Sequence, residues 1–291
     1  MTPRLGVVFR PQFAPERLAD VARAADASGV DELWLWEDCF DHGGVATAAA
    51  ALGWTERLVV GVGVLPAPLR NVALAAMETA TLARMFPGRV HIGVGHGVLD
   101  WMGQVGARAA SPMTLLREYV QAMQSLLVGE RITTDGKYVQ LADVGLGWPP
   151  EPKPPLHVGA VKPKTIALAG ELADGMIVTG GTTPDELAQA RAAFDAAWAD
   201  RPGRGRVTVY LMAIIGPDSE RRYEKELDRW KPREERGDLE FGAHGDAAAI
   251  ASAVRRWADA GADTVVLEPA DDDDPVAYAR FAGEQIRPLL D

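Results

Sequence analysis

Short runs of Val, Ile and Leu alternate along this chain with longer segments whose apolar residues recur at helical spacing. Leu5 to Phe9 is the first run, and Leu33 to Trp36 is the second. Between them, apolar residues at positions 18, 21, 22 and 25 follow the i, i+3, i+4, i+7 pattern of an amphipathic helix. Pro15 precedes this helix and Gly29 follows it, as is typical of helix starts and ends. The pattern predicts a βαβ unit at the beginning of the chain.

Six further runs have the same character, which brings the total to about eight, the strand number of a (β/α)8 barrel. They are Leu58 to Val64, Val90 to Val94, Leu156 to Gly159, Met176 to Thr179, Val207 to Ile215 and Thr264 to Leu267. Helical segments fill the intervals, and Pro112 and Pro163 are suited to the first turns of two of them. We therefore predict an α/β fold in which residues 1–291 form a single (β/α)8 TIM barrel.

Two stretches do not fit a minimal barrel, and we expect them to be insertions at the C-terminal rim. In the first, about residues 131–155, Arg131 to Thr134 and Lys137 to Val139 flank Asp135-Gly136, which predicts a small hairpin before a Pro-rich segment. The second, about residues 217–241, is dense in Arg, Lys and Glu. It is either a charged surface helix or a lid over the site.

Charge and cysteine content narrow the class of protein. The formal net charge of -11 disfavours nucleic acid and anionic membranes as partners, since no basic stretch offsets it. The only cysteine, Cys39, has no internal disulfide partner, and no apolar run approaches the ~20 residues of a membrane span. Because no secretion signal is evident either, we expect a soluble, cytoplasmic protein.

The strand ends are rich in glycine and poor in catalytic acids and bases. Gly93, Gly95 and Gly97 occupy every second position where the fourth run stops, so a ligand could approach the backbone there. The alternative is that glycine ends the strand for turn geometry only. The five histidines lack metal-ligand spacing, and the chain has neither a serine elbow nor a phosphate loop. Such a site suits a cofactor that carries the chemistry itself.

Five segments carry a resemblance to a known family in order and spacing. They are Gln12-Phe13-Ala14-Pro15, Trp36-Glu37-Asp38-Cys39-Phe40, Gly61 to Pro66 with Arg70-Asn71, Phe86 to Val90 leading to Gly93 to Gly97, and Ala173-Asp174-Gly175. Over nearly its whole length the sequence resembles the bacterial luciferase-like flavin superfamily, specifically the branch that uses the deazaflavin coenzyme F420. The resemblance implies an oxidoreductase that transfers a hydride between the deazaflavin C5 and a small organic substrate.

The resemblance also implies the cofactor site. A non-prolyl cis peptide between Gly63 and Val64 would support the ring from behind, and Asp38 would lie at the ring's polar edge. Further residues implied as cofactor-binding are Gly95, His96, Gly97, Gly159, Ala160, Val161 and Lys162. Lys162, with Lys164 and Arg70, could offset the polyanionic tail of the coenzyme, although each could also be an ordinary surface residue.

Asp38, Cys39, His96 and Thr179 are the catalytic candidates, and His42 is a further candidate to face the substrate. The chain departs from the sugar-phosphate dehydrogenases of this branch at Cys39, Val98 and Pro11, where those enzymes carry a histidine and two acids. Oxidation of a sugar hemiacetal by the same base is therefore not expected. We expect an apolar or aromatic substrate if the site is lined by Phe9, Phe13, Trp36, Trp101 and Trp148.

Two alternatives to an F420-dependent oxidoreductase stay open. One is an FMN-dependent monooxygenase of the same superfamily, which would use reduced flavin and oxygen. The other is an F420-binding protein without turnover, motivated by the scarcity of acid and base residues. The resemblance further implies a homodimer, linked to a flavin or F420 reductase only through the shared cofactor pool, and the sequence predicts no metal.

Overall fold

The structure is a computed structural model that describes residues 2–199, 201–230 and 240–291. The strands are β1 (Arg4–Phe9), β2 (Glu32–Leu35), β3 (Val59–Pro66), β4 (Val90–Gly95), β5 (Ile132–Asp135), β6 (Gln140–Val144), β7 (Leu156–Gly159), β8 (Gly175–Val178), β9 (Arg206–Ile215), β10 (Gly242–Gly245) and β11 (Thr264–Glu268). The α-helices are α1 (Leu18–Ser28), α2 (Gly44–Gly53), α3 (Val72–Met85), α4 (Leu99–Gln104), α5 (Pro112–Leu127), α6 (Pro163–Leu172), α7 (Pro184–Trp198), α8 (Ser219–Trp230), α9 (Ala247–Asp259) and α10 (Pro275–Phe281). None of the helices in the described ranges is long and apolar enough to cross a membrane.

Eight parallel strands close into a ring in the order β1, β2, β3, β4, β7, β8, β9, β11, and β11 pairs again with β1. The helices pack around this ring, so the predicted (β/α)8 barrel is confirmed. Each of the eight predicted strands lies within two residues of the observed one at both ends. Short β10 pairs with the carboxyl half of the ten-residue β9, outside the ring. The sequence pattern missed β10 because its residues, Gly-Ala-His-Gly, carry little β-branched character.

The two predicted rim insertions fare differently. The hairpin is present as antiparallel β5 and β6, but β6 begins at Gln140 rather than at Lys137. A wider connection accounts for the difference, since the backbone amides of residues 137 to 139 donate to the Glu118 carboxylate instead of extending the ladder. The second insertion contains the charged helix α8, while residues 231–239 lie outside the described residues.

Alternating residues of each strand point into the barrel, and the layer at the amino-terminal end is polar. The fully buried Glu32 carboxylate accepts hydrogen bonds from Arg4 and Arg206 at 2.6 Å and from the Trp34 indole at 2.9 Å. Thr264 lies 3.4 Å from the same carboxylate. A buried charge is tolerated here because two guanidinium groups and two neutral donors surround it.

Two buried histidines lie beside this layer. The rings of His91 on β4 and His157 on β7 stack with centroids 5.1 Å apart, and Nδ1 of the first is 3.1 Å from Nε2 of the second. Both rings meet the Trp34 indole edge-on. Burial lowers the pKa of His91 to about 3 and that of His157 well below its usual value, so both histidines are neutral at physiological pH.

Candidate functional site

The carboxyl ends of the barrel strands form a mouth with two unlike halves. Val8, Trp34 and Val266 belong to one cluster inside the barrel, so residues two positions further along the same strands point inward at the mouth. On this side those residues are large or charged: Arg10, Trp36 and Glu268. On the opposite side the strand ends carry small residues, namely Gly63, Gly95, Gly159 and Thr179.

Val64 fills the space left by the glycines. The peptide between Gly63 and Val64 is cis, as the resemblance implied, and the register with β4 shifts at this point. A Cβ atom on Gly95 would lie 2.8 Å from Val64 Cγ2, and Cβ atoms on Gly93 and Gly159 would lie 3.1 Å from Val64 Cγ1. The glycines therefore admit the Val64 side chain, and contact of a ligand with their backbone stays a prediction. We call this half of the mouth the valine ledge.

Tyr210 on β9 supports the ledge from below. Its hydroxyl donates to the Gly63 carbonyl at 3.1 Å, and its ring meets Trp36 edge-on with centroids 5.1 Å apart. Burial raises the pKa of Tyr210 well above its usual value, so the phenol stays protonated and remains a donor. A Cβ on Gly63 would lie within 3 Å of this hydroxyl, at 2.4 Å, which explains why glycine is needed there.

The opposite half contains charged groups, which we call the charged wall: Arg10, Asp38 and Glu268. Arg10 is 5% exposed, donates from Nη1 to the Pro269 carbonyl at 2.8 Å and pairs through Nη2 with Asp271 at 2.9 Å. Glu268 is 1% exposed, and its Oε1 lies 3.9 Å from Arg10 Nε. Burial raises the pKa of Glu268 to about 7, an effect that Arg10 opposes. Sequence reasoning missed Glu268, although a carboxyl group that ends an apolar run is a visible signal.

Asp38 and Cys39 follow β2 on the same side of the mouth. Asp38 is half-buried, and its pKa is raised by burial and by Asp41, while Arg10 acts in the opposite direction. The pKa of the Cys39 thiol is raised by burial and by the neighbouring carboxylates of Glu37 and Asp38. A thiol that stays protonated is a weak hydrogen-bond donor rather than a nucleophile. The peptide between Cys39 and Phe40 is also cis, which the sequence did not indicate.

The structure separates the remaining catalytic candidates. Thr179 is exposed at the end of β8, on the ledge side of the mouth. His96 follows the inward-pointing Gly95, and its Nε2 lies 3.5 Å from Thr165 Oγ1 on α6, so its side chain is directed between helices. Burial lowers the pKa of His96, which keeps the ring neutral. His42 stacks on Phe9 with centroids 5.6 Å apart.

The segment after β7 carries the remaining residues predicted to bind a cofactor. Ala160 is buried and donates to the Ile177 carbonyl at 2.9 Å, whereas Val161 is 58% exposed. Lys162 is the N-cap residue of α6, and it and Lys164 are exposed without an ion pair to any described residue. Two free ammonium groups at the positive end of a ten-residue helix suit an anionic group.

Arg70 does not join these lysines. Its guanidinium pairs with both oxygens of Glu37, including a 2.9 Å contact from Nη2, and Nε lies 3.1 Å from Glu78. The Glu37 carboxylate also accepts from the Gly44 amide at 2.7 Å, which ties the network to the start of α2. Because two carboxylates already neutralise Arg70, the expectation that it offsets a polyanionic tail is not supported.

Most of the aromatic rings expected to line the site lie elsewhere. Phe9 and Phe13 belong to the core between strands and helices, since Phe9 neighbours the inward-pointing Val8 and faces the other way. Trp148 is 74% exposed and stacks against the Arg84 guanidinium on α3. Of the five rings, Trp36 alone packs against the barrel interior cluster. Among the described residues, no group of three His, Cys, Asp or Glu side chains could hold a metal ion.

Comparison with known proteins assigns the family. A sequence model of the luciferase-like monooxygenase family matches residues 4–268, which include every strand of the barrel. The chain belongs to the luciferase-like monooxygenase family. A solved structure titled F420-dependent secondary alcohol dehydrogenase in complex with an F420–acetone adduct matches with a TM-score of 0.88 at 20% identity, covering 100% of both chains. At that identity the match establishes a shared fold.

Curated relatives of this luciferase-like chain include two enzymes with different names. An F420-dependent glucose-6-phosphate dehydrogenase of Nakamurella multipartita is 34% identical over 188 residues, covering 60% of this chain and 55% of that protein. A 5,10-methylenetetrahydromethanopterin reductase of Methanolobus tindarius is 27% identical over 216 residues, covering 74% of this chain and 66% of that protein. The chain thus aligns with little more than half the length of the first relative.

Proposed function

We propose that this luciferase-like protein is a coenzyme F420-dependent oxidoreductase that transfers a hydride between the deazaflavin C5 and a small organic substrate. The observation that carries the proposal is the valine ledge, an apolar surface in which Val64 packs directly against the backbones of three strand-end glycines. The names of the two curated relatives, a dehydrogenase and a reductase, support this chemistry over oxygenation.

The residues of the mouth fit such a cofactor. Val64, held between three glycines and supported by Tyr210, offers a surface for one face of a flat ring. Asp38 is half-buried at the edge of the mouth, where it can accept or donate a hydrogen bond. Lys162 and the amino end of α6 suit the phosphate and carboxylate groups of a tail. When bound, the deazaflavin supplies a two-electron carrier, and the protein provides orientation and electrostatics.

The substrate we propose is a small carbonyl, imine or alkene compound, or the corresponding reduced form, rather than a sugar phosphate. Cys39, Val98 and Pro11 stand where the sugar-phosphate dehydrogenases of the branch have a histidine and two acids. Asp38, Cys39, Thr179 and, through its backbone, His96 remain the candidates among the residues that the sequence indicated.

An FMN-dependent monooxygenase is the second candidate function, because the matched family carries that name. A cofactor-binding protein without turnover is the third. Cofactor binding distinguishes the F420-dependent oxidoreductase from the FMN-dependent monooxygenase. The purified protein would be titrated with F420 and with FMN while its tryptophan fluorescence is followed. Preferential quenching by F420 is the expected result, whereas preference for FMN would contradict the proposal. Binding of neither cofactor would remove the oxidoreductase assignment as well.

Two tryptophan variants make this titration specific. Trp36→Phe removes the indole of the barrel mouth and should abolish most of the quenching without abolishing binding. Trp198→Phe is the matched control, because this indole lies at the end of α7 beneath the Arg201 guanidinium. If Trp198→Phe loses the quenching and Trp36→Phe retains it, the cofactor binds outside the mouth.

A reduction and oxidation screen then addresses turnover. Reduced and oxidised F420 would be mixed with glucose 6-phosphate, a secondary alcohol, its ketone and small conjugated carbonyl compounds, and the deazaflavin absorbance followed. We expect activity with an uncharged compound and none with the sugar phosphate. Tight F420 binding with no conversion of any compound would favour the binding protein without turnover.

We also propose that the protein works as a cytoplasmic homodimer that draws reduced cofactor from a common pool. An apolar surface with Met77, Met85 and Trp148, which are 56%, 63% and 74% exposed, is available on the α3 side of the barrel. Light scattering after size exclusion tests the dimer, and a monomer at micromolar concentration would contradict it.

A further inference from the structure

Glu268 is a buried carboxyl group without a hydrogen bond to any described residue. Both of its oxygens are inaccessible to solvent, and neither accepts a hydrogen bond. Arg10 Nε lies 3.9 Å from Glu268 Oε1 and likewise has no hydrogen-bond acceptor among the described residues. The other two guanidinium nitrogens contact the Pro269 carbonyl and the Asp271 carboxylate. Buried polar groups normally make hydrogen bonds, so two facing groups of opposite charge that make none with each other point to a functional role.

Glu268 lies at the mouth rather than in the sealed interior. It points inward because Thr264 and Val266, its neighbours at alternate positions on β11, face Glu32 and the barrel cluster. A Cβ atom on Gly180 would lie 2.9 Å from its Oε2. Gly180 is half-buried and follows the exposed Thr179, so the carboxyl group lies next to the exposed end of β8.

The charges around Glu268 come from several elements. The groups that interact electrostatically with it are Arg10 after β1, Asp38 after β2, Tyr210 on β9, Glu226 on α8, Asp271 after β11 and Tyr278 on α10. Arg10 is the only cation of this described set, and it favours the carboxylate. Burial and the three acids favour the neutral acid and raise the pKa to about 7. The two forms are therefore close in free energy at neutral pH.

We propose that Glu268 is the proton-exchanging residue of the hydride-transfer site, with Arg10 stabilising its charged form. The inference rests on the proposed function. In the reducing direction, bound F420 would supply a hydride to one atom of a substrate double bond and become oxidised, while the π electron pair of that bond moves to the other atom. The Glu268 carboxyl gives its proton to the other atom, and water returns a proton to the carboxylate. In the oxidising direction the carboxylate takes up the proton as the hydride leaves.

This assignment supplies a proton carrier in addition to Asp38, which the proposed function places at the edge of the cofactor. Hydride transfer to a carbonyl, imine or alkene is balanced only when one proton accompanies each hydride. Cys39 is held protonated, and the His96 side chain is directed away from the mouth. A general acid works best when its pKa lies near the working pH, which Glu268 satisfies.

Infrared titration of the protein without cofactor tests the first half of the proposal. The protonated carboxyl band should lose intensity as the pH rises through neutrality, and this change should be absent in Glu268→Gln. Glu226→Gln is the matched control, since this buried glutamate is paired with Arg229 at 3.0 Å. The control should keep the band with a lower midpoint, because one acid near Glu268 is removed. A wild-type spectrum without a band assigned to Glu268 would overturn the proposal.

Proton uptake on F420 binding tests the second half and requires no substrate. In weak buffer near neutral pH, a polyanionic cofactor at the mouth should draw a proton onto Glu268, which a pH indicator records. Glu268→Gln should bind F420 with similar affinity but take up less than half as many protons, whereas Glu226→Gln, in which the Glu268 midpoint is lower, should still show an uptake that is lost when Glu268→Gln is added. Equal uptake in wild type and Glu268→Gln would overturn the proposal.

Any conversion found in the substrate screen provides a third readout. Glu268→Gln should lower kcat about a hundredfold or more and remove the neutral step from its pH profile, with the F420 affinity retained. Glu268→Asp should recover part of the rate. An unchanged pH profile in Glu268→Gln would refute the inference while leaving the proposed function intact. Failure to bind F420 would refute the function, whereas the infrared band would still report on Glu268.

Discussion

Replacing Gly95 by alanine tests whether the strand-end glycines exist to admit Val64. The new Cβ would lie 2.8 Å from Val64 Cγ2, closer than side-chain carbons approach in folded proteins. Val64 is β-branched and stiff at χ1, so moving its Cγ2 aside requires an unfavourable rotamer or a backbone shift. Overpacking of this kind costs about 1–3 kcal/mol of unfolding free energy. We expect Gly95→Ala to fall in that range and to weaken F420 binding.

Val64→Ala, combined with Gly95→Ala, completes a double-mutant cycle. It removes two partly exposed methyl groups and should cost about 1 kcal/mol, since a fully buried methylene is worth about 0.8 kcal/mol. In the double variant, the atom nearest to the new Cβ at position 95 is the Cβ of residue 64, at 3.6 Å, an ordinary contact. The double variant should therefore be more stable than the sum of the single effects predicts, by about 1–2 kcal/mol.

Urea unfolding followed by circular dichroism gives the free energy of unfolding of the wild type, the two single variants and the double variant, provided that their m values agree. Gly53→Ala is the matched control, because nothing lies within 4 Å of its Cβ position at the end of α2. This change should be neutral or stabilising by up to about 1 kcal/mol. If the Gly95→Ala and Val64→Ala effects add to within about 0.5 kcal/mol, the glycine is not there for the valine, and the ledge as described is wrong.

Three other properties of the protein can be checked in the same way. Between pH 6.5 and about 3 the unfolded chain binds protons at His91 and His157 that the folded protein excludes, so stability should fall with decreasing pH, by up to about 2.7 kcal/mol per pH unit. This is best measured by urea unfolding in Glu268→Gln, because the raised pKa of Glu268 has the opposite effect between pH 4.5 and about 7. Glu32→Gln should cost about 3 kcal/mol in the same assay, since it leaves guanidinium groups without their buried partner. Asp38→Asn should weaken F420 binding about tenfold to a hundredfold in the fluorescence titration, and an unchanged affinity would exclude a cofactor contact.

The barrel could be predicted from the sequence because a parallel strand buried on both faces is a near-continuous apolar run. Such runs are bounded by glycine, proline and polar residues, so eight of them could be located to within two residues. β10 could not, because it lies beside β9 outside the ring and has no apolar run of its own. The cis peptide at Gly63 and Val64 followed from the family resemblance, not from any local pattern.

The site was harder to predict because neighbouring strand residues point to opposite faces. Gly95 points into the mouth, so His96 faces α6, although the two are adjacent in sequence. The same alternation places Arg10 inside and Phe9 among the helices. Contacts with residues distant in sequence decide whether other candidates are available to a ligand. Arg70, for example, is neutralised by Glu37, which precedes it by 33 residues. No single-sequence pattern reports such pairs.

The two halves of the mouth together explain how a site with few acids and bases can support hydride transfer. The valine ledge is apolar and carries no charge that could react, so it can only position a flat ring. The charged wall faces it with one carboxyl group close to its midpoint at neutral pH and one guanidinium that prefers the charged form. A hydride carrier on the ledge and a proton carrier on the wall would place the substrate between them. This arrangement places the source of the hydride and the source of the proton on opposite sides of the barrel mouth. It predicts that substitutions on the valine ledge alter cofactor affinity, whereas Glu268→Gln alters the pH dependence of turnover.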